Sequence, residues 1–276
     1  MRSIMITGCS SGIGQCVALG LKQRGYRVFA TARKANDVAI LRQNGFEAYL
    51  LDLDDSASIR SAVEQVLAAT GGTLYALFNN GAYGQPGAVE DISREALRAQ
   101  FETNLFGTHE LTCLLLPVMR RQGYGRIIQN SSVLGFVALP YRGAYVASKF
   151  ALEGLTDTLR LEWQNSGIHF SLIEPGPIRT AFRKNASLAF HRHVGNKTSV
   201  HQKTYLAMEE AFRQQAKQGG ARFSLPPEAV LEKVIHALES PRPKVRYGVT
   251  LPTHLFALLR RILPRGIMDR ILARGL

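Results

Sequence analysis

Short apolar runs alternate with longer amphipathic segments through the first 175 residues, and few architectures accommodate that alternation. Runs at 3–7, 27–31, 48–51, 74–78, 126–130 and 169–173 have the character of buried strands. Helical patterns follow at 13–24, 38–43, 56–69, 94–121 and 145–165, with Ser56 as the predicted N-cap of the third. Strands that alternate with helices at this spacing form βαβ units. The sequence therefore predicts an α/β fold, a doubly wound parallel sheet of about seven strands flanked by helices.

The pattern predicts one domain followed by a tail. No linker, repeat or low-complexity stretch interrupts residues 1–175, and we predict a single domain over 1–250. After Pro177 the chain is polar, basic and helical in part, and 178–225 is predicted to form a lid over the sheet edge. A helix is predicted at 226–239 and a seventh strand at 244–247. Residues 251–276 form a C-terminal tail that is basic, apolar and amphipathic.

Composition indicates the class of protein and the compartment in which it is expected. The 276 residues are 46% hydrophobic and 20% charged, which suits a folded domain with a sizeable core. Three cysteines without disulfide or metal-ligand spacing favour a reducing compartment. We find no apolar run of about 18 residues, and no metal site is predicted. The expected location is cytoplasmic, with peripheral contact to the inner face of a membrane left open.

Positive charge is concentrated in the last third of the chain. The net charge is +13, and residues 182–276 contribute 17 Lys and Arg against 6 Asp and Glu. An anionic membrane, nucleic acid, an acidic ligand or a solvated basic surface would each account for this excess. No recognisable nucleic-acid module is present, so we expect no nucleic-acid partner.

A glycine-rich stretch, 7–14, lies between the first strand and the first helix. Its glycines let the backbone turn tightly and approach a pyrophosphate, and the following helix offers free N–H groups and a positive dipole end. The stretch is a variant of the dinucleotide-binding loop. It also matches the hydrolase pattern G-x-S-x-G, with Ser10 as nucleophile. Only seven residues precede Gly8, which leaves no room for the oxyanion strand of that fold, so the hydrolase is disfavoured.

The residues that follow the second strand predict the type of cofactor. Arg33 and Lys34 stand where an acidic residue would bond the 2′-hydroxyl of NAD. A basic residue at this point accommodates the 2′-phosphate of NADP instead. The sequence therefore predicts NADP(H).

Tyr145 and Lys149 lie four residues apart in a helical pattern, so they share one helix face about one turn apart. The ordinary pKa of a phenol is about 10. We expect a nearby ammonium to lower the pKa of Tyr145 and make it a general acid or base near neutral pH.

Together these residues resemble the short-chain dehydrogenase/reductase family over about residues 3–180. The resemblance includes Asp52 after the third strand, Asn79-Asn80-Gly81-Ala82 after the fourth, Asn104, Ser132 thirteen residues before Tyr145, and the run Pro175-Gly176-Pro177 to Thr180. The family usually has N-N-A-G where this chain has the Gly81-Ala82 order. Within the family, the chain looks similar to 17β-hydroxysteroid and retinol dehydrogenases and to bacterial NADPH-dependent aldehyde reductases.

The resemblance implies a Rossmann-type fold and a set of site residues. Its implied catalytic residues are Tyr145 as general acid/base, Lys149, Ser132 as holder of the substrate oxygen, and Asn104 as support for a water. Its implied cofactor-binding residues are Gly8, Ser10, Ser11, Gly12, Ile13, Gly14, Arg33, Lys34, Asp52, Asn79, Gly81, Tyr145, Lys149, Pro175, Gly176, Ile178 and Thr180.

The expected function is reduction of an aldehyde or ketone to an alcohol by NADPH. An apolar lid favours an aliphatic, retinoid-like or steroid-like substrate. A non-catalytic NADP-binding redox sensor is the alternative. The tail is expected either to lie on an anionic membrane or to close on the enzyme body or an oligomer interface. A homo-oligomer is expected.

Overall fold

A computed structural model describes residues 1–195, 198–217 and 223–273 of the chain. Its sheet has seven parallel strands in the order β3-β2-β1-β4-β5-β6-β7. The strands are β1 Ser3–Ile6, β2 Arg27–Ala32, β3 Glu47–Leu50, β4 Ala76–Asn79, β5 Gly125–Asn130, β6 Ile168–Glu174 and β7 Arg246–Gly248. The predicted fold class is confirmed. β4 begins two residues later than expected, because its pairing with β1 and β5 starts at Ala76 and Leu74 and Tyr75 lie before the first paired residue.

Helices connect the strands and cover both faces of the sheet. They are α1 Gly12–Gln23, α2 Ala35–Gln43, α3 Ser56–Thr70, α4 Arg94–Phe101, α5 Gly107–Gln122, α6 Gly143–Glu162, α7 Phe182–His193, α8 Gln202–Lys217, α9 Glu228–Glu239, α10 Leu251–Ile262 and α11 Arg265–Ala273. The helical region predicted at 94–121 is interrupted between α4 and α5 by a π-helical segment, Glu102–Phe106.

One predicted helix cap is wrong. Asp55, not Ser56, is the N-cap of α3, and its carboxylate accepts the N–H of Ala57 at 2.9 Å. Ser56 is already helical, and its hydroxyl donates to Glu110 on α5 at 2.6 Å. Either residue type suits a cap, so the contact with α5 distinguishes them.

The strands alternate their side chains between two cores. Ile4 and Ile6 of β1 pack with α1 and α9, whereas Met5 packs on the opposite side with α3 and α5. Because both faces are covered, the central strands β1 and β4 are buried along their whole length and are mainly apolar, without polar alternation.

The strand order fixes where a ligand can bind. The chain runs outward from β1 to β2 and β3 on one side, and from β4 to β7 on the other. The loops after β1 and β4 therefore diverge at the carboxyl edge, which is the point where open parallel sheets bind ligands.

The predicted lid and tail are both largely described. Backbone bonds from Arg179 to Leu225 at 2.9 Å and from Leu225 to Pro177 at 3.1 Å join the two ends of the 178–225 segment. It contains α7 and α8, and 196–197 and 218–222 lie outside the described residues. The tail forms α10 and α11, with 274–276 outside the described residues. Within the described ranges, no helix is both long and apolar enough to cross a membrane.

Candidate active site

The loop between β1 and α1 has the shape of an anion cradle. Gly8 and Gly12 adopt positive φ angles of 72° and 59°, which favour glycine. A Cβ on Gly14 would lie 2.8 Å from the carbonyl carbon of Gly8, with the carbonyl oxygen nearer still. Ser11, the N-cap of α1, makes no side-chain cap bond, and the first turn contains no acid. The helix N-terminus therefore presents N–H groups and a positive dipole end that fit a pyrophosphate.

Thr7 and Asn80, neither of which was among the predicted site residues, join the loop to the neighbouring strand β4 by hydrogen bonds. The hydroxyl oxygen of Thr7 accepts the N–H groups of Asn80 and Gly81, both at 2.8 Å. The side-chain amide of Asn80 donates back to the carbonyls of Thr7 at 2.9 Å and Gly8 at 3.2 Å. Gly81 thus acts through its backbone. The Asn79-Asn80 pair was a visible signal, but periodicity alone did not say which amide faces the loop.

Asn79 has a different position from Asn80. Its buried amide donates to Thr112 of α5 at 2.9 Å, and its carbonyl oxygen has no partner among the described residues. Its predicted cofactor contact stays a prediction.

The residues expected near the adenosine end follow β2 and β3. Arg33 and Lys34 are exposed, and Lys34 is the N-cap of α2. The positive charge of Arg33 opposes the rise in the pKa of Asp54 that burial causes, so Arg33 lies near the turn after β3. Half-buried Asp52 accepts the N–H of Asp54 at 3.2 Å, which shapes that turn.

The stretch after β6 reaches the glycine loop. A Cβ on Gly12 would lie 3.1 Å from the Cβ of Thr180, so Thr180 lies against the start of α1. Pro175 is buried, and Gly176 packs so closely on Thr250 that a side chain there would collide with it. Half-buried Ile178 lies at the base of the lid. Ser10, Ser11 and Ile13 belong to the loop itself, where both serines are exposed and Ile13 is half-buried.

Ser132, Tyr145 and Lys149 converge at the carboxyl edge. Tyr145 and Lys149 lie on the buried face of α6, with Nζ 5.8 Å from the tyrosine ring centroid. Lys149 donates to the carbonyl of Asn130, at the end of β5, at 2.7 Å. Ser132 accepts the N–H of Leu134 at 3.1 Å, and its hydroxyl lies near enough to the phenol to act on the pKa of Tyr145. The two hydroxyls can therefore contact one substrate oxygen.

Burial determines the protonation of this group. It raises the pKa of Tyr145 to about 12, and the Ser132 hydroxyl opposes that rise. It lowers the pKa of Lys149 to about 8, while the charge of Glu153 acts in the opposite direction. The pKa of Tyr145 is therefore raised and not lowered as expected, because the desolvation of the phenolate outweighs any lowering by the Lys149 ammonium. The phenol keeps its proton at neutral pH and can donate it.

Asn104 lies in the π-helical segment, a feature that often marks functional positions. Its amide donates to the carbonyl of Tyr83 at 2.9 Å and to Ser148 at 3.1 Å, and its oxygen accepts the N–H of Tyr83 at 3.1 Å. Ser148 in turn donates to the carbonyl of Tyr145 at 2.8 Å. Asn104 joins α6 to the loop after β4. Its predicted support of a water stays a prediction.

A buried acidic cluster lies behind Lys149 and was not anticipated. Arg246 of β7 contacts Glu153 at 3.0 Å, Asp157 at 2.6 Å and Glu174 at 3.1 Å. Burial raises the pKa of Glu174 to about 7, and the charge of Glu153 adds to the effect. The signal was present in the sequence, since Tyr145, Lys149, Glu153 and Asp157 follow one another at four-residue spacing.

Apolar side chains surround the phenol. Phe182, at the start of α7, lies edge-on to Tyr145 with ring centroids 5.5 Å apart. Phe256, Met268 and Leu272 of the tail belong to the same buried cluster as Tyr145. The described part of the tail therefore packs on the enzyme body beside the candidate catalytic group.

Comparison with known proteins identifies the class. The chain matches the family model for short chain dehydrogenases over residues 2–189. It belongs to the short-chain dehydrogenase/reductase family, as the sequence motifs predicted, and is an oxidoreductase. That membership removes the Ser10 hydrolase from consideration.

Particular relatives refine this picture. The Escherichia coli K12 protein described as uncharacterized oxidoreductase YbbO is 46% identical over 271 residues, which cover 98% of this chain and 94% of that protein. Human 17-beta-hydroxysteroid dehydrogenase type 1 is 34% identical, covering 90% of this chain and 77% of the human protein. A structure of a single-residue variant of actinorhodin polyketide ketoreductase with NADPH has a TM-score of 0.73 at 28% identity, covering 90% of this chain and 95% of that one. A nicotinamide cofactor fits both the family and the loop geometry.

Proposed function

We propose that the protein is an NADP(H)-dependent carbonyl reductase that converts an apolar aldehyde or ketone into its alcohol. The convergence of Ser132, Tyr145 and Lys149 at one buried point carries the proposal, together with a Tyr145 pKa of about 12 that keeps the phenol protonated. A buried proton donor at the same edge of the sheet as the glycine-rich loop suits reduction. The cofactor, when bound, supplies a hydride to the carbonyl carbon.

The protein's own residues position the substrate oxygen and provide its proton. The Ser132 hydroxyl holds the carbonyl oxygen, and Tyr145 donates its proton to that oxygen as negative charge develops there. With a pKa of about 8, Lys149 stays mostly protonated at neutral pH. Its charge favours the phenolate that remains after proton transfer. Substrate oxidation would use the same residues in reverse.

The residues after β2 support NADP(H) over NAD(H). Arg33 and Lys34 are both exposed and available to a phosphate. A guanidinium binds phosphate oxygens in a bidentate manner, whereas an acidic residue at this place would repel them. The ketoreductase relative solved with NADPH agrees with this choice.

The surroundings of Tyr145 favour an apolar substrate. Phe182 of the lid meets the phenol ring edge-on, and Phe256 of the tail belongs to the same apolar cluster as Tyr145. Burying apolar substrate surface there contributes roughly 25 cal/mol per Å². Aliphatic aldehydes, retinoids and steroids fit this chemistry, and one relative is named for a hydroxysteroid.

The test is NADPH oxidation by the purified protein with aliphatic aldehydes, retinal and ketosteroids, followed as loss of absorbance. Tyr145→Phe removes the proton donor and is expected to abolish turnover while NADPH still binds. Tyr124→Phe is the matched control, because Tyr124 is exposed and precedes β5, on the opposite edge of the sheet. Turnover that survives Tyr145→Phe would refute the assigned role. Tight NADPH binding without turnover on any carbonyl would favour the redox sensor.

A further inference from the structure

The two tail helices, α10 and α11, have an inner face that packs on the enzyme body and an outer face that is exposed. On the inner face, Phe256 of α10 and Met268 and Leu272 of α11 are buried against the body. The outer face carries large aliphatic side chains, which we call the tail stripe. Its members are Leu251, Leu255, Leu258 and Ile262 of α10, and Ile267 and Ile271 of α11.

The stripe on α10 is continuous along the helix. Its four members are spaced by four, three and four residues, so they fall within an arc of roughly 60° at 3.6 residues per turn. They are 67%, 48%, 54% and 66% exposed. Ile267 and Ile271 repeat the pattern on α11 at 45% and 38% exposure. A row of exposed aliphatic side chains along one helix face is the kind of surface that binds a partner or a membrane.

Positive charge accompanies the stripe. Residues 251–273 contain four arginines, Arg260, Arg261, Arg265 and Arg270, against the single acid Asp269, and Arg260 among them lies over the Phe150 ring of the enzyme body, away from the stripe. Arg261 projects about 60° from the edge of the α10 stripe, and Arg270 projects a similar angle from Ile267 on α11. An exposed apolar stripe flanked by arginines is complementary to the acyl boundary and anionic headgroups of a bilayer.

Two other occupants fit less well. A second copy of the chain, meeting this one across a two-fold axis, would bring two sets of arginines together, and like charges oppose such a contact. Nucleic acid would satisfy the arginines but leave the leucines and isoleucines exposed to water. We propose that the tail stripe binds the surface of an anionic lipid bilayer.

The proposal concerns binding and does not depend on the reductase activity. One consequence does rest on the proposed function. Since the inner face of the tail shares a buried cluster with Leu134 and Tyr145, bilayer contact through the outer face would bring the catalytic edge close to membrane-dissolved apolar substrates.

The test is flotation of the full-length protein with vesicles, compared between two lipid compositions. One set contains phosphatidylcholine and phosphatidylglycerol in equal parts, and the other contains phosphatidylcholine alone. The stripe variant combines Leu258→Ser with Ile262→Ser. Its matched control combines Leu188→Ser with Leu206→Ser, which removes two lid side chains of similar exposure, 60% and 57%. Thermal unfolding and NADPH binding verify that each variant is folded.

We expect the wild type to float with the anionic vesicles and to be released at about 0.5 M salt, where screening shortens the range of the charges. The stripe variant should lose about tenfold or more of its partitioning, because the anchoring methyl and methylene groups are gone. The lid control should stay within about twofold.

Failure of the wild type to float at low salt would overturn the proposal, and so would equal losses in the two variants. Sedimentation velocity identifies the competing occupant. If the stripe variant dissociates an oligomer that the lid control preserves, and vesicles bind neither, the stripe is an interface between copies. If the wild type floats with anionic vesicles but oxidises NADPH with none of the carbonyl substrates, the result counts against the proposed reductase function and leaves the membrane proposal standing.

Discussion

One methyl group added at Gly14 tests the dinucleotide loop more directly than a charge change does. Gly14 is buried in the first turn of α1. In Gly14→Ala, the new Cβ would lie 2.6 Å from Nδ2 of Asn80 and 2.8 Å from the carbonyl carbon of Gly8, whereas real Cβ atoms stay at least 3.0 Å from such neighbours. The Asn80 amide and the Gly8 carbonyl must therefore separate, although they hydrogen-bond each other at 3.2 Å in the native loop.

Gly14→Ala is expected to remain folded, with a moderate loss of stability, and to bind the cofactor much more weakly. Overpacking typically costs about 1–3 kcal/mol, and replacing glycine inside a helix returns up to about 1 kcal/mol. Each 1 kcal/mol moves the melting temperature of a domain this large by about 2–4 °C, so a net cost of about 0–3 kcal/mol should lower the melting temperature of Gly14→Ala by about 12 °C at most. If the displaced loop forfeits about 1.4–2.8 kcal/mol of pyrophosphate contact, the Kd for NADPH rises about 10- to 100-fold.

Gly154→Ala provides the matched control. Gly154 also lies inside a helix, α6, but a Cβ there would meet nothing within 4 Å. This variant should gain about 0.5–1 kcal/mol in stability and bind NADPH as the wild type does. Calorimetric melting and NADPH titration measure both quantities. A folded Gly14→Ala protein whose NADPH Kd stays within about twofold of the wild type would refute the pyrophosphate role of the loop.

Three further predictions concern charges around the site. Arg33→Ser should raise the KM for NADPH about 10- to 100-fold, because a charge-assisted phosphate contact is worth about 1.5–3 kcal/mol, while the KM for NADH changes little; equal changes would contradict the NADP assignment. Glu153→Gln removes a charge that holds up the pKa of Lys149, so that pKa should fall below about 8. The basic limb of the kcat/KM profile should then move to lower pH, and an unmoved limb would exclude this coupling. Burial raises the pKa of Glu174 from 4.5 to about 7. Between these pH values the native state binds the proton more tightly than the unfolded state does. The free energy of unfolding should therefore fall as the pH rises through this window, by at most about 3 kcal/mol. Urea unfolding at both ends of that pH window measures this loss of unfolding free energy, which should be smaller in Glu174→Gln. The same loss in the variant as in the wild type would mean that other groups cause it.

The charged surroundings of the site could not be predicted from the sequence. Tyr145 and Lys149 were predicted to face the same way, and they do, because a four-residue spacing on a helix is a local property. The direction of the Tyr145 pKa shift was wrong, since it depends on how many neighbours exclude water from the phenol. The cluster around Arg246 depends on β7 pairing with β6, which brings together residues about 90 positions apart.

By itself the sequence determined the parallel sheet, the glycine loop after β1 and the helix that carries Tyr145. Apolar periodicity, glycine geometry and helical spacing act over a few residues, so each can be recognised within one stretch of chain. Only the tertiary structure decided that Asp55 and not Ser56 caps α3, that Asn80 and not Asn79 fastens the loop, and that the tail packs beside Tyr145. Those outcomes depend on which distant element supplies a hydrogen-bond partner or a buried surface, and two residues of equal propensity can be told apart only when that partner is in place.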